Sequence, residues 1–228
     1  MVRRVLAASS ERLAEWLRTG LLGPSEFCAG WEALGFVRHE ESGGTPADDY
    51  LDGLFDVSRF AEDVAGPEHG HLNLPARASR VADFFEVTRP AATDVVFDLG
   101  SGSGKLALTV AASRHTQVRG VEFVDAHVAD SVRSATRLGL GKAAFACADV
   151  RDVGLDAGTI FFLSYPFHGP VAATVADALG ALGRDKPITI YASGPVRDYG
   201  EYFLAQSSLE LVERRGEFGD VMVMRSRG

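Results

Sequence analysis

Lysine is almost missing from this chain. Its 228 residues hold only Lys105, Lys142 and Lys186, and the arginines are scattered, so 23 Lys and Arg face 31 Asp and Glu. The formal charge is −8 and the pI is near 5.2. A broad nucleic-acid surface needs clustered cations to neutralise phosphates, so nucleic acid is disfavoured as a partner and a small-molecule or peptide-like substrate is favoured. A long uncharged apolar run is also missing, which leaves no candidate transmembrane helix. Cysteine is limited to Cys28 and Cys147, far apart in sequence, with Cys147 inside the apolar stretch Ala143 to Ala148. That placement predicts a buried free thiol and no disulfide framework. No clustered metal-ligand spacing is present, and no metal site is expected. The apolar stretch after Arg4 is short and runs into Glu11 and Arg12, which does not suit a secretory leader, so a cytoplasmic location is expected.

What is present centres on Asp94 to Gly104, DVVFDLGSGSG, followed by KLALTVAAS. Val95, Val96 and Phe97 read as a buried parallel strand. Gly100, Gly102 and Gly104 then alternate through a tight turn, and Leu106, Ala107, Leu108 and Val110 read as the inner side of a helix starting near Gly104. Glycines so close together serve positive φ or close approach of backbone to a ligand. A P-loop would need glycine at Leu99 and Ser or Thr at Leu106, and the dinucleotide fingerprint would need its third glycine at Lys105. Neither fits.

The pattern D-x-G-x-G-x-G at the end of a first strand resembles motif I of class I S-adenosylmethionine-dependent methyltransferases. Further landmarks follow in order: Gly120-Val121-Glu122 at the end of the next predicted strand, and Ala148-Asp149-Val150 after the third. The likeness is nearest to small bacterial enzymes with D-L-G-S-G-x-G in motif I and Y-N-P-F after the fourth strand, and more distant to a histone-lysine-methylating branch of the fold. Here Ser164-Tyr165-Pro166-Phe167-His168-Gly169 replaces Y-N-P-F, without the Asn before proline.

The resemblance implies S-adenosylmethionine as cofactor and S-adenosylhomocysteine as product. It implies that Asp98, Gly100, Ser101, Gly102 and Gly104 receive the cofactor's amino-acid end, Glu122 its ribose, and Asp149 and Val150 its adenine. Ser164 stands at the cofactor side of the fourth-strand loop. Tyr165 orients the acceptor and His168 takes a proton, with His69 and His71 as further candidates for a base on a segment crossing the methionine end. The implied activity is in-line methyl transfer to N, O or C of a small molecule or peptide-like natural product. Protein-lysine methylation, and a non-catalytic cofactor-binding partner subunit, are the alternatives; a nicotinamide oxidoreductase is disfavoured by the glycine spacing and the chain's end.

The expected fold is α/β, a doubly wound, mostly parallel seven-stranded sheet of the Rossmann-like methyltransferase kind closing in an antiparallel hairpin. Residues 71–228 would form that domain, and residues 1–70 a helical extension. Within it, Glu11 to Arg18 and a segment from Pro24 to Gly35 read as a helical hairpin whose Trp16, Phe27 and Trp31 either line a homodimer seam or cover the sheet. ESGGTP at 41–46 reads as a hinge, and Asp49 to Glu62 as a lid over the cleft or a core helix. In the predicted helix Ala126 to Leu138, Val128, Val132 and Ala135 are expected inward.

Overall fold

The apolar runs VVFDL and IFFLS lie side by side as β1 (Val95–Leu99) and β4 (Ile160–Ser164), the middle of the sheet. The computed structural model describes residues 5, 7–36, 44–57, 70, 75–114, 116–216 and 220–227. β2 (Gln117–Glu122) and β3 (Ala143–Cys147) extend the sheet on one side, and β5 (Thr189–Ser193), β7 (Val221–Ser226) and β6 (Leu209–Arg215) on the other. The order is β3-β2-β1-β4-β5-β7-β6. The first five strands are parallel, and β7 runs antiparallel to β5 and β6. This is the expected sheet with its closing hairpin.

Alternation along the strands divides the core in two. On one face Val96, Phe162, Tyr191 and Val223 meet α1 (Ser10–Thr19), α2 (Pro24–Glu32), α3 (Pro46–Phe55), α4 (Ala78–Thr88), α5 (Lys105–Arg114) and α6 (Asp125–Leu138). On the other, Phe97, Leu99, Phe161, Ile190 and Met222 meet α7 (Gly169–Asp185) and the short α8 (Glu201–Leu204). The local signals are ordinary ones. Ser9 caps α1 and Gly20 ends it with φ 72°, Pro24 opens α2, and α4 stops before Pro90.

The amino-terminal helices share the sheet's core. Phe27 and Trp31 are fully buried there, against Tyr50 and Phe55 of α3 and Phe85 of α4, so they pack within the helical layer and do not form a seam between copies. α3 is likewise a core element, burying Leu51, Leu54 and Phe55; residues 58–62 of the expected lid and 41–43 of the expected hinge lie outside the described residues. Two smaller expectations also change. Cys147 is exposed because β3 is the edge strand. Val132 is 45% exposed, since α6 turns Ser131 and Ser134 inward instead and satisfies their hydroxyls on the backbone carbonyls of His127 and Phe55. Between β5 and β6 the chain passes through a π-turn at Val196–Gly200 into α8.

α4 is fastened at its middle and at its start. Asp83 accepts from Tyr191 Oη at 2.6 Å and from Arg215 at 2.7 Å, joining α4 to β5 and β6. At its start, the Ala78 N–H donates to Asp48 of α3 at 2.7 Å. Asp48 also reaches Lys105 Nζ at 2.7 Å, as does Asp52, and all three charged side chains are buried. Burial pushes the Asp48 carboxyl up, but the Lys105 charge and the hydrogen bonds of Lys105, Ala78 and Thr45 prevail and hold it below the usual carboxylate range.

Phe84 meets Phe162 and Tyr191 edge-on, with centroids 5.4 and 5.7 Å away, while those two rings stack at 5.3 Å. Phe84→Ala is expected to lower the unfolding free energy by about 3–5 kcal/mol in urea titration. Leu21→Ala, at a side chain 66% exposed, should change it by less than about 0.5 kcal/mol.

Candidate active site

The carboxyl ends of β1 to β5 lie along one edge of the sheet, the place where open α/β sheets take ligands. The glycine loop sits at the centre of this edge. Gly100, Gly102 and Gly104 take φ of 77°, 51° and 79°, values that side chains resist. Space also demands glycine. A Cβ on Gly100 would stand 2.1 Å from Pro166 Cβ of the β4 loop, and one on Gly104 would meet Ser131 and Phe145 at 2.7 and 2.9 Å.

Glu122, at the end of β2, bridges the loop to its own strand. One carboxylate oxygen accepts the Gly102 N–H at 2.8 Å and the other the Val124 N–H at 2.9 Å. Each oxygen keeps acceptor capacity for a hydroxyl on a ligand. Ser131 Oγ, whose proton is directed at the His127 carbonyl at 2.9 Å, also lies 3.3 Å from the Gly102 carbonyl on the other side. Ser101 Oγ is buried with no hydrogen-bond partner among the described residues. Three positive-φ glycines, a carboxylate with acceptor capacity and an orphaned hydroxyl fit an adenosyl ligand's polar end.

Asp98 lies 3% exposed beneath the loop and accepts the N–H of Ala107, the third residue of α5, so it serves as that helix's cap from across the glycines. Burial drives its carboxyl up to about 7, against the pull of the Ala107 N–H, and the Glu122 carboxylate adds to the rise. A cationic group arriving at the loop would favour its ionised form.

Asp149 and Val150 follow β3, as expected. The Asp149 carboxylate is already a partner of Arg151, whose Nε and Nη2 lie at 2.9 and 2.6 Å and whose backbone N–H lies at 2.9 Å. The hydrogen bonds of Arg151 hold that carboxyl below its ordinary range. Between Glu122 and Val124, Phe123 is 50% exposed, an apolar ring at the strand edge that sequence reasoning passed over. The signal was there, since an aromatic directly after a strand-ending carboxylate has no core to enter.

On the β4 side, Ser164 ends its strand opposite Ser193 of β5. Tyr165 has φ 48°, a conformation costing a non-glycine residue about 1–3 kcal/mol. Its ring meets Tyr199 edge-on at 5.3 Å, and Gly194 is the only residue type that leaves room, since a Cβ there would lie 2.7 Å from the Tyr165 ring. Phe167 is buried and its backbone bridges Gly70. His168 is the N-cap residue of α7, without a side-chain cap. His69 and His71 lie outside the described residues, although Gly70 between them stands at the β4 loop. The edge therefore brings together Asp98, the three glycines, Ser101, Glu122, Asp149, Val150, Ser164, Tyr165 and His168.

Two predictions follow from this geometry. Asp98 ionises near 7 when folded and near 3.9 when unfolded, so between these values the folded protein holds a proton that the unfolded chain has released. Its contribution to stability therefore falls as pH rises from about 4 to 7. Subtracting the urea-unfolding free energy of Asp98→Asn from that of the natural protein should give a curve that declines over this window and is flat above it; a flat curve throughout would contradict the assignment. Gly100→Ala should cost at least about 1–2 kcal/mol from its φ alone, read by the same titration.

No protein-family model and no curated protein sequence matches the chain. Solved structures do. One is an RNA methyltransferase from Salinibacter ruber in complex with S-adenosyl-L-homocysteine, at 18% identity over 67% of this chain and 92% of that one, with TM-score 0.51. Another is precorrin-6y C5,15-methyltransferase from Geobacter metallireducens, at 13% identity over 69% and 92%, TM-score 0.51. A third is a SAM-dependent O-methyltransferase from Thermotoga maritima, at 13% identity over 68% and 67%, TM-score 0.53. With the strand order β3-β2-β1-β4-β5-β7-β6, these likenesses give the conclusion that the chain has the fold of the class I S-adenosylmethionine-dependent methyltransferases.

Proposed function

We propose that the protein is an S-adenosylmethionine-dependent methyltransferase acting on a small molecule or peptide-like acceptor. The observation that carries this reading is the glycine loop with three positive-φ residues, bridged by Glu122 to the end of β2. The Salinibacter ruber neighbour holds S-adenosyl-L-homocysteine, which supports the same ligand here. The net charge of −8 and the three lysines support a small or peptide-like acceptor over RNA, the substrate named for that neighbour.

When bound, the cofactor supplies a methyl group on a cationic sulfur. The chain's part is to bind and align. Gly100 to Gly104 offer backbone to the amino-acid end, Asp98 offers a carboxylate beneath it, Glu122 accepts from the ribose hydroxyls, and Asp149, Val150 and Phe123 border the adenine. Tyr165 and Ser164, held at the end of β4 against Tyr199, orient the acceptor. Such alignment lowers the barrier by up to about 7–11 kcal/mol. If the acceptor is a hydroxyl or an ammonium, His168 takes the proton it loses.

Calorimetric titration tests the reading. S-adenosylmethionine and S-adenosylhomocysteine should bind and NADH should not. Glu122→Ala should weaken both adenosyl ligands about 10- to 100-fold, the worth of charged hydrogen bonds of about 1.5–3 kcal/mol. Absence of adenosyl binding in the natural protein would end the proposal.

A further inference from the structure

Lys105 occupies a position that its chemistry disfavours. It is the first residue of α5, where a helix presents its positive end, and it is 3% exposed. Two carboxylates from α3 make that tolerable, with Asp48 and Asp52 each 2.7 Å from Nζ. Asp48 is saturated: one oxygen takes Lys105 Nζ and the Ala78 N–H at 2.7 Å each, and the other takes the Thr45 N–H at 3.2 Å and Thr45 Oγ1 at 2.9 Å. One side chain thus grips the first residues of α4 and α5 and the cap of α3.

A buried ion cluster of this kind adds little net stability compared with apolar residues of the same size, but separating its members leaves a buried charge unpaired, which is costly. What stands next to this one is the glycine loop. Gly104, at φ 79°, immediately precedes Lys105, and the volume beside its Cα is filled by Ser131 and Phe145. The loop's middle is held through Gly102 by Glu122. Its far end is held by Lys105.

We propose that Lys105, through Asp48 and Asp52, is a positioning residue for the glycine loop, so that docking of α3 and binding at the loop are coupled. The proposal rests on the loop being the cofactor's cradle. Removal of the Lys105 anchor loosens the loop before ligand arrives, and the ligand must then supply the ordering. The coupling is reciprocal, so a bound ligand also steadies α3.

The test compares Lys105→Met/Asp52→Asn, Asp52→Asn and Lys105→Arg with the natural protein. The double variant leaves Asp48 with its Thr45 and Ala78 donors, avoiding two unpaired buried carboxylates. Asp52→Asn alone keeps the Lys105–Asp48 pair and guards against a double variant that does not fold. Two readouts are taken: hydrogen exchange of residues 100–106 against β7 without ligand, and the Kd of S-adenosylhomocysteine. In the double variant, exchange at 100–106 should quicken and Kd rise, each about ten-fold, within the range of such couplings, while β7 exchange is unchanged. Asp52→Asn should give a smaller change of the same kind, and Lys105→Arg should restore most of both.

Unchanged loop exchange in the folded variants would overturn the proposal, as would equal quickening in β7, which marks a purely global effect. Loop exchange that quickens while Kd stays at the natural value would overturn the coupling. If the natural protein binds no S-adenosylhomocysteine, the methyltransferase reading fails and the exchange measurement alone decides the role of Lys105.

Discussion

The carboxylate of Asp48 is the point on which the molecule's geometry converges. Its two oxygens serve four donors from three segments that are remote in sequence: Thr45, Ala78 and Lys105. A carboxylate has about four acceptor directions, so all are used. Displacing any of the three helices would strand a buried charge or an orphaned N–H, and a buried charge that loses its partner costs about 3–5 kcal/mol. α3 is therefore joined to α4 and α5 by charged and hydrogen-bonded contacts as well as by apolar contact.

From that point the site follows by steric necessity. The loop between β1 and α5 can pass the β4 loop only if residue 100 has no Cβ, and it can pass Ser131 and Phe145 only if residue 104 has none. Pro166, in turn, follows a residue forced to positive φ. The close approach of the β1 and β4 loops sets Tyr165 and Ser164 beside the glycines. One contact, Gly100 against Pro166, thereby sets how the two loops of the candidate site stand to each other.

Much of this was legible in the sequence. The alternation of apolar runs with turn signals points to the parallel strands and the closing hairpin, and the spacing of Asp98, the glycines and Glu122 points to the sheet edge where the structure places them. The rest depended on long-range pairing, which periodicity does not carry. Nothing in the local pattern around Asp48 and Asp52 points to Lys105, 57 residues from Asp48, which reaches both. Val132 was expected inward because it is apolar, but Ser131 and Ser134 displace it by finding backbone carbonyls inside. Cys147 was expected buried because its run is apolar, yet the strand that carries it is an edge. The pairing of Asp149 with Arg151 likewise shows only in the fold.

The central claim is that the edge formed by Gly100 to Gly104, Glu122 and Asp149 holds an adenosyl cofactor. The most direct test is a crystal structure of the protein grown with S-adenosylhomocysteine. The account predicts the ligand lying across the carboxyl ends of β1 to β3, its ribose hydroxyls on Glu122 and its amino-acid end on the glycine loop above Asp98. A ligand seated elsewhere, or crystals at saturating concentration with none in this crevice, would contradict it.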